Sequence, residues 1–282
     1  MANEFERAGQ GSGPDRPDEP VPSSVPFPKV ALITIDDVRE VLRRGAADFQ
    51  TAPIYGLVFG LFYVACGYGI VVGLTVAEMP YLIFPALAGF MLIGPISAVG
   101  IYEVSRRLET GDRLSWPAVF GAKIRHGATH LIWLGFALTF ILSIWLRIAA
   151  VIYAFHFGLK PVPLSEMAVA IFTTGNGASF FLFGMAAGAV LASLVFSIAV
   201  VSVPFLLDKD VDFMTAMVAS MLAFRDNPGP MVLWAGIIVV LVAASVATAF
   251  LGLIVVLPII GHATWHLYRK VLIHPEDRLV TV

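Results

Sequence analysis

"MVLWAGIIVVLVAASVATAFLGLIVVLPIIGHATWHLY", residues 231–268, is too apolar to be a solvated segment and too long to cross a bilayer once. As one helix it would run for about 57 Å at 1.5 Å per residue, against a hydrocarbon core of about 30 Å. It is either one tilted helix with an overhang or a tight hairpin of two short spans. Charge arbitrates, because cytoplasmic loops carry the excess of Lys and Arg. With a hairpin turning near 248–252, all but Arg147 and Lys160 of the 18 Lys and Arg residues fall on one side. A single final span would carry Arg269, Lys270 and Arg278 to the other side. The hairpin is the better reading.

Working outward, four more apolar runs, 54–77, 80–105, 129–157 and 179–207, each provide the roughly 20 residues that a spanning helix needs. The whole chain of 282 residues is 58% hydrophobic and 13% charged, whereas a soluble domain is about half apolar and about a quarter charged. The expected architecture is all-α, a polytopic transmembrane helical bundle of six spans covering residues 31–272. Residues 1–30, rich in Pro, Gly, Ser and charge without the apolar core of a signal peptide, read as a disordered tail. Residues 273–282 form a second, short tail, and six spans put both tails in the cytoplasm. A net charge of −2 gives no footprint for nucleic acid. Cys66, the single cysteine, excludes a disulfide within the chain and gives thiol catalysis no support.

Six spans expose a threefold pattern. Each pair of spans follows a shorter mixed segment: "TIDDVREVLRRGAADFQTAP" (34–53), "LSWPAVFGAKIRHG" (114–127) and "VDFMTAMVASMLAFRDNPGP" (211–230). In the first, Val38, Val41, Leu42 and Phe49 gather near one helical face and Arg39, Arg43 and Arg44 toward another. Such segments read as helices lying in the membrane interface, giving three interfacial-helix-plus-hairpin units. Each returning span carries a proline, Pro95, Pro204 or Pro258, tolerated where neighbours satisfy the freed carbonyls. Gly56 with Gly60, Gly69 with Gly73, and Gly184 with Gly188 have the spacing that lets helix backbones approach closely in lipid.

The candidate site residues are few. His126 with His130, and His262 with His266, are two pairs four residues apart, each stacking both rings on one helical face at the cytoplasmic end of a span. Together they offer four nitrogen ligands suited to Zn, Cu or a haem iron; alternatively they are rings that favour the polar boundary, like Trp265 and Tyr268 beside them. Arg147, in "ILSIWLRIAAVIYAF", is the one strong charge well inside an apolar run, so it either faces a partner such as Glu78, Glu166, Tyr153 or a bound anion, or snorkels to the surface. Glu103 reads as pairing with Arg106 or Arg107 at a solvated helix end. Gly175, Asn176 and Gly177 read as a turn before the fourth span. No G-x-S-x-G, P-loop or H-E-x-x-H occurs, and no acidic pair lies inside a span.

The stretches "ADFQTAPIYGLVFGLFYV" (47–64), "GPISAVGIYEVSRRLETG" (94–111) and "GLIVVLPIIGHATWHLYRK" (252–270) resemble a family of uncharacterised bacterial inner-membrane proteins, grouped as a domain of unknown function. The resemblance covers roughly 30–272 and implies a location in the bacterial inner membrane, but no mechanism. Some of those proteins carry a label of cytochrome c oxidase subunit I. The large oxidase subunit has about twice as many spans, with its ligand histidines inside them, so no oxidase ligand maps onto this chain. Three functional readings follow. The first is a non-enzymatic accessory, assembly or self-associating component of a membrane complex, with the bilayer and another membrane complex or a second copy as partners and no cofactor. The second is a transporter or channel for a small solute or lipid, using Arg147 and the proline-broken spans. The third is a haem- or metal-binding redox protein built on the histidine pairs.

Overall fold

The long apolar run breaks where the turn is expected: one helix ends at Ala247 and the next begins at Leu253. A computed structural model describes residues 27–121 and 124–273, with the side chains of 92, 93 and 122–128 excepted. The two tails, apart from residues 27–30 and Ile273, lie outside the described residues. In chain order the helices are α1 (Ile35–Thr51), α2 (Pro53–Val76), α3 (Ile83–Ser97), α4 (Val99–Thr110), α5 (Trp116–Gly121), α6 (Ile124–Phe157), α7 (Leu164–Thr173), α8 (Gly175–Ala199), α9 (Ser202–Asp208), α10 (Phe213–Asp226), α11 (Pro228–Ala247) and α12 (Leu253–Val271). Two short strands, β1 (Lys29–Val30) and β2 (Leu272–Ile273), pair antiparallel and join the two ends of the described chain.

Among the described residues four helical segments are long and apolar enough to cross a membrane: Pro53–Val76, Thr129–Phe157, Gly175–Asp208 and Pro228–Ala247. Only 17% of the most apolar stretch in the second and fourth is buried inside the protein, against 61% in the third. The buried part of the third is its end, from Val195 through α9, while the rest of α8 and the other segments turn most of their apolar surface outward. Surface of that kind, including Phe136, Phe140, Val239 and Val240, has no place in water and is covered by lipid. The fully buried residues gather instead at the end where the termini meet, among α1, α4, α9, α10 and α12.

The three prolines act differently. Pro95 and Pro258 are carried inside α3 and α12. After Pro95 the hydrogen-bond ladder runs on through Ala98, whose N–H donates to Gly94 O at 2.9 Å and whose carbonyl accepts from Tyr102 N–H at 3.0 Å. Pro204 sits just beyond a true break between α8 and α9. There the Val201 N–H donates to Ser220 Oγ of α10 at 3.2 Å, so a neighbouring hydroxyl supplies what the helix gives up. The Gly-x-x-x-Gly pairs also divide. A Cβ on Gly60 would strike the Ile254 backbone of α12, and one on Gly56 would meet Phe49 and Pro258; Gly69, Gly73 and Gly184 have open space.

Several local expectations shift. Gly175 opens α8 instead of forming a turn, because Thr174 caps the helix by accepting from Gly177 N–H at 2.9 Å. In the second mixed segment the described residues form the six-residue α5 and the first turn of α6. The first forms α1 as expected, with a capping box between Thr34 and Asp37. Its apolar face, Val38 and Val41 at 0% exposure, closes on protein, however, and leaves Arg39, Arg43 and Arg44 outside.

Candidate functional site

Val38, Val41, Gly45 and Asp48 follow one another at helical spacing down the inner stripe of α1. Gly45 brings that stripe against α12 so closely that a Cβ there would strike the backbone of Ala263. This contact carries a carboxylate, Asp48, into the junction of α1, α4 and α12. Ser105 Oγ of α4 donates to Asp48 Oδ2 at 2.7 Å. His266 Nε2 of α12 donates to the same oxygen at 2.9 Å. Ser105 Oγ also lies 2.7 Å from His262 Nδ1. Since the serine proton already goes to the carboxylate, that last bond requires a proton on Nδ1. A neutral His262 then has a bare acceptor at Nε2, which is buried and without a partner.

Burial by itself would raise the Asp48 carboxyl, but the hydrogen bonds from His266 and Ser105 outweigh it and hold the group below its usual range. Ser105 and His262 are both 0% exposed. A nucleophile must be reached by its substrate, and this hydroxyl faces the wrong imidazole nitrogen for His-assisted attack with Asp48 behind it. The junction holds three helices together.

Around it lies a ring of ion pairs. Glu103 binds Arg106 through two 2.7 Å bonds and Arg107 through a third at 2.7 Å, so the expected pairing forms with both. It is not at a solvated helix end: Glu103 is 2% and Arg106 6% exposed. Trp265 Nε1 donates to Glu109 at 2.8 Å, and Tyr268 Oη to Asp208 at 2.8 Å. Arg269 reaches both carboxylates, at 3.1 and 3.3 Å. Lys270 bridges Asp37 and Glu40 of α1, each at 2.6 Å. Its hydrogen bond, followed by those from Thr34, lowers Asp37 to about 2.

The sequence-derived candidates separate. His262 and His266 share the Asp48 junction, whereas His130 stacks on Phe213 of α10 with ring centroids 6.4 Å apart. Its Nδ1 is buried without a partner. The side chain of His126 lies outside the described residues. Among the described residues no group of three or more His, Cys, Asp or Glu is arranged to hold a metal ion. Arg147 is on the exposed side of α6, between buried Trp145 and Ala149, with no partner among the described residues. Tyr153 is 3% exposed, and its hydroxyl donates to Lys160 O and accepts from Val162 N–H, both at 2.9 Å. It stacks on Tyr81 at 4.2 Å.

Asp48 and Ser105 escaped the sequence reading. The available signal was the register of Asp48 with Val38 and Val41 on the apolar stripe, where a solvated carboxylate has no reason to be. The three stretches that carry the family resemblance supply the junction: Asp48 from the first, Ser105 from the second, and His262 and His266 from the third.

Helices this apolar, lipid-facing on their outer sides and closed by polar pairs at one end, define an integral membrane helical protein. Residues 83–208 match the model of a family described as a predicted integral membrane protein (DUF2189), in keeping with the resemblance seen in the sequence. The match runs from α3 to α9 and includes Ser105, while Asp48, His262 and His266 lie outside it. No curated protein and no solved structure matches the chain.

Proposed function

We propose that this chain is a non-enzymatic component of a membrane assembly in a bacterial inner membrane, with six spans and both termini in the cytoplasm. The observation that carries the reading is the closed state of its polar junction: the groups able to do chemistry, Ser105 and His262, are 0% exposed and are spent on holding α1, α4 and α12 together, and Glu103, 2% exposed, is spent on two arginines of its own helix. A site so sealed stabilises a scaffold and offers no entry for a substrate.

Two features support the rest. The β1–β2 pairing brings both ends of the described chain to one side, as an even number of crossings requires. With α3–α4 and α12 as the remaining spans, the four apolar segments become six. The far half of α2 protrudes from the bundle, with Gly69, Val72, Gly73 and Val76 exposed and nothing near the two glycines. That apolar helix end suits a neighbouring span from a second copy or another subunit. Arg147, exposed about 15 Å before the end of α6 by helical rise, snorkels toward the headgroups.

Native purification in mild detergent, with mass determination and elemental analysis of the particle, tests the reading. A reproducible homo- or hetero-oligomer free of stoichiometric metal and haem is expected. A lone monomer, or a coloured or metal-loaded particle, overturns it.

A further inference from the structure

Helix α10 turns its small residues inward: Ala216, Ala219, Ser220 and Ala223 are buried. Its outer stripe is Met214, Val218 and Met221, each more than 40% exposed, and one further step along the same stripe stands Arg225. Between this stripe and α8 runs an open groove lined by Ser193, Leu194, Ser197, Val218, Met221 and Arg225. The two serine hydroxyls donate at 2.8 Å to the carbonyls of Ala189 and Leu194 in their own helix, so they take no part in recognising an occupant and the groove walls are apolar. The Arg225 side chain is 71% exposed, and its Nε bonds Asp226 at 2.9 Å. The other two guanidinium nitrogens have no partner among the described residues.

We propose that this groove is a binding site for one anionic phospholipid, its acyl chain along Leu194, Val218 and Met221 and its phosphate on the free fork of Arg225. The occupant has to bring hydrocarbon to the walls and an anion to one end, because an apolar trough at a bilayer-facing helix pair excludes water while the guanidinium needs a counter-charge. A guanidinium fork matches the oxygens of a phosphate in a bidentate pair. The competing Asp226 is adjacent in sequence and solvent-facing, and such exposed pairs hold weakly. The charge complementarity therefore favours a lipid of net negative charge over a zwitterionic one, whose own ammonium offsets its phosphate.

The test is native mass spectrometry of the full-length protein in mild detergent, titrated with dioleoylphosphatidylglycerol and, separately, dioleoylphosphatidylcholine. One bound phosphatidylglycerol is expected at about fivefold lower lipid concentration than phosphatidylcholine. Arg225→Gln should erase that preference without changing phosphatidylcholine uptake or thermal stability, and Ser197→Trp, which fills the groove, should remove the retained lipid of either kind. Equal uptake of the two lipids by the unaltered protein, or a preference that survives in Arg225→Gln, overturns the proposal. So does a dimer that Ser197→Trp converts to monomer, since the groove would then belong to a second copy. If Ser197→Trp does not fold, the Arg225→Gln comparison still decides.

Discussion

Helices α1 and α10 occupy equivalent places, each a short segment of mixed composition ahead of a hairpin, and each begins with an aspartate-containing cap. Their outer faces are opposite in character. The one on α1 carries Asp36, Arg39, Arg43 and Arg44, while that on α10 carries Met214, Val218 and Met221 before a terminal Arg225. Their inner faces differ too: α1 buries two valines and brings Asp48 to a carboxylate–histidine junction, whereas α10 buries alanines and lends one hydroxyl to a helix break. The difference teaches that an amphipathic segment beside a membrane span can spend its apolar face on protein or on lipid. Which it does depends on whether the protein offers it a groove. Helix α12 offers α1 such a groove, with Ala263 opposite Gly45, so α1 stands with its charges in water.

The sharpest way to break this comparison is at the close contacts. Gly45→Leu drives a side chain into the α12 backbone and is expected to cost about 3 kcal/mol or more, against about 1–3 for Ala219→Leu on α10. Thermal unfolding in detergent measures both, and a harmless Gly45→Leu would show that α1 does not depend on that contact. Next come the polar anchors. Asp48→Ala strands Ser105 and His266 and is expected to lose about 1–3 kcal/mol, with Asp48→Asn intermediate. On α10, Asp212→Ala removes a local cap that accepts from the N–H and the hydroxyl of Thr215 at 2.9 and 2.6 Å, a loss of about 1 kcal/mol. Equal losses at the two positions would remove the distinction between junction and cap.

Exchanging outer residues for cysteine should hardly change stability, staying within about 0.5 kcal/mol, yet it reads the surroundings directly. In a Cys66→Ser background, Arg43→Cys is expected to react readily with a membrane-impermeant maleimide in open membrane fragments, and Val218→Cys to be protected. Equal labelling would mean that both helices meet the same solvent. The smallest effect is that of pH. Asp37 is lowered from 3.8 to about 2 on folding, so its contribution is complete above the ordinary aspartate range near 4 and is lost as pH falls through about 2. Lys270→Met should flatten the unfolding midpoint over that interval. Parallel curves for the two proteins would show that the Lys270 bridge contributes nothing to the docking of α1.

Much of this was open to a reader of the sequence. The helix break at 248–252, the helical character of the first and third mixed segments and the Glu103 pairs all follow from spacing and charge. The burial of Glu103 did not, because "IYEVSRR" looks the same at a solvated end as beneath two neighbouring helices. Nor did the separation of His130 from the other pair: His262 and His266 gather around Asp48, whereas His130 faces a phenylalanine ring.

By itself the sequence determined that this is a helical membrane protein and where its apolar helices run. Those properties sum along the chain, since a bilayer demands about 20 apolar residues per crossing and backbone hydrogen bonds satisfied within each helix. Only the tertiary structure decided which face of α1 meets protein, which glycines are filled, and that one carboxylate gathers Ser105 and His266. Those bonds join residues 57 and 218 positions apart, and no local pattern carries information over such separations until packing brings the helices together.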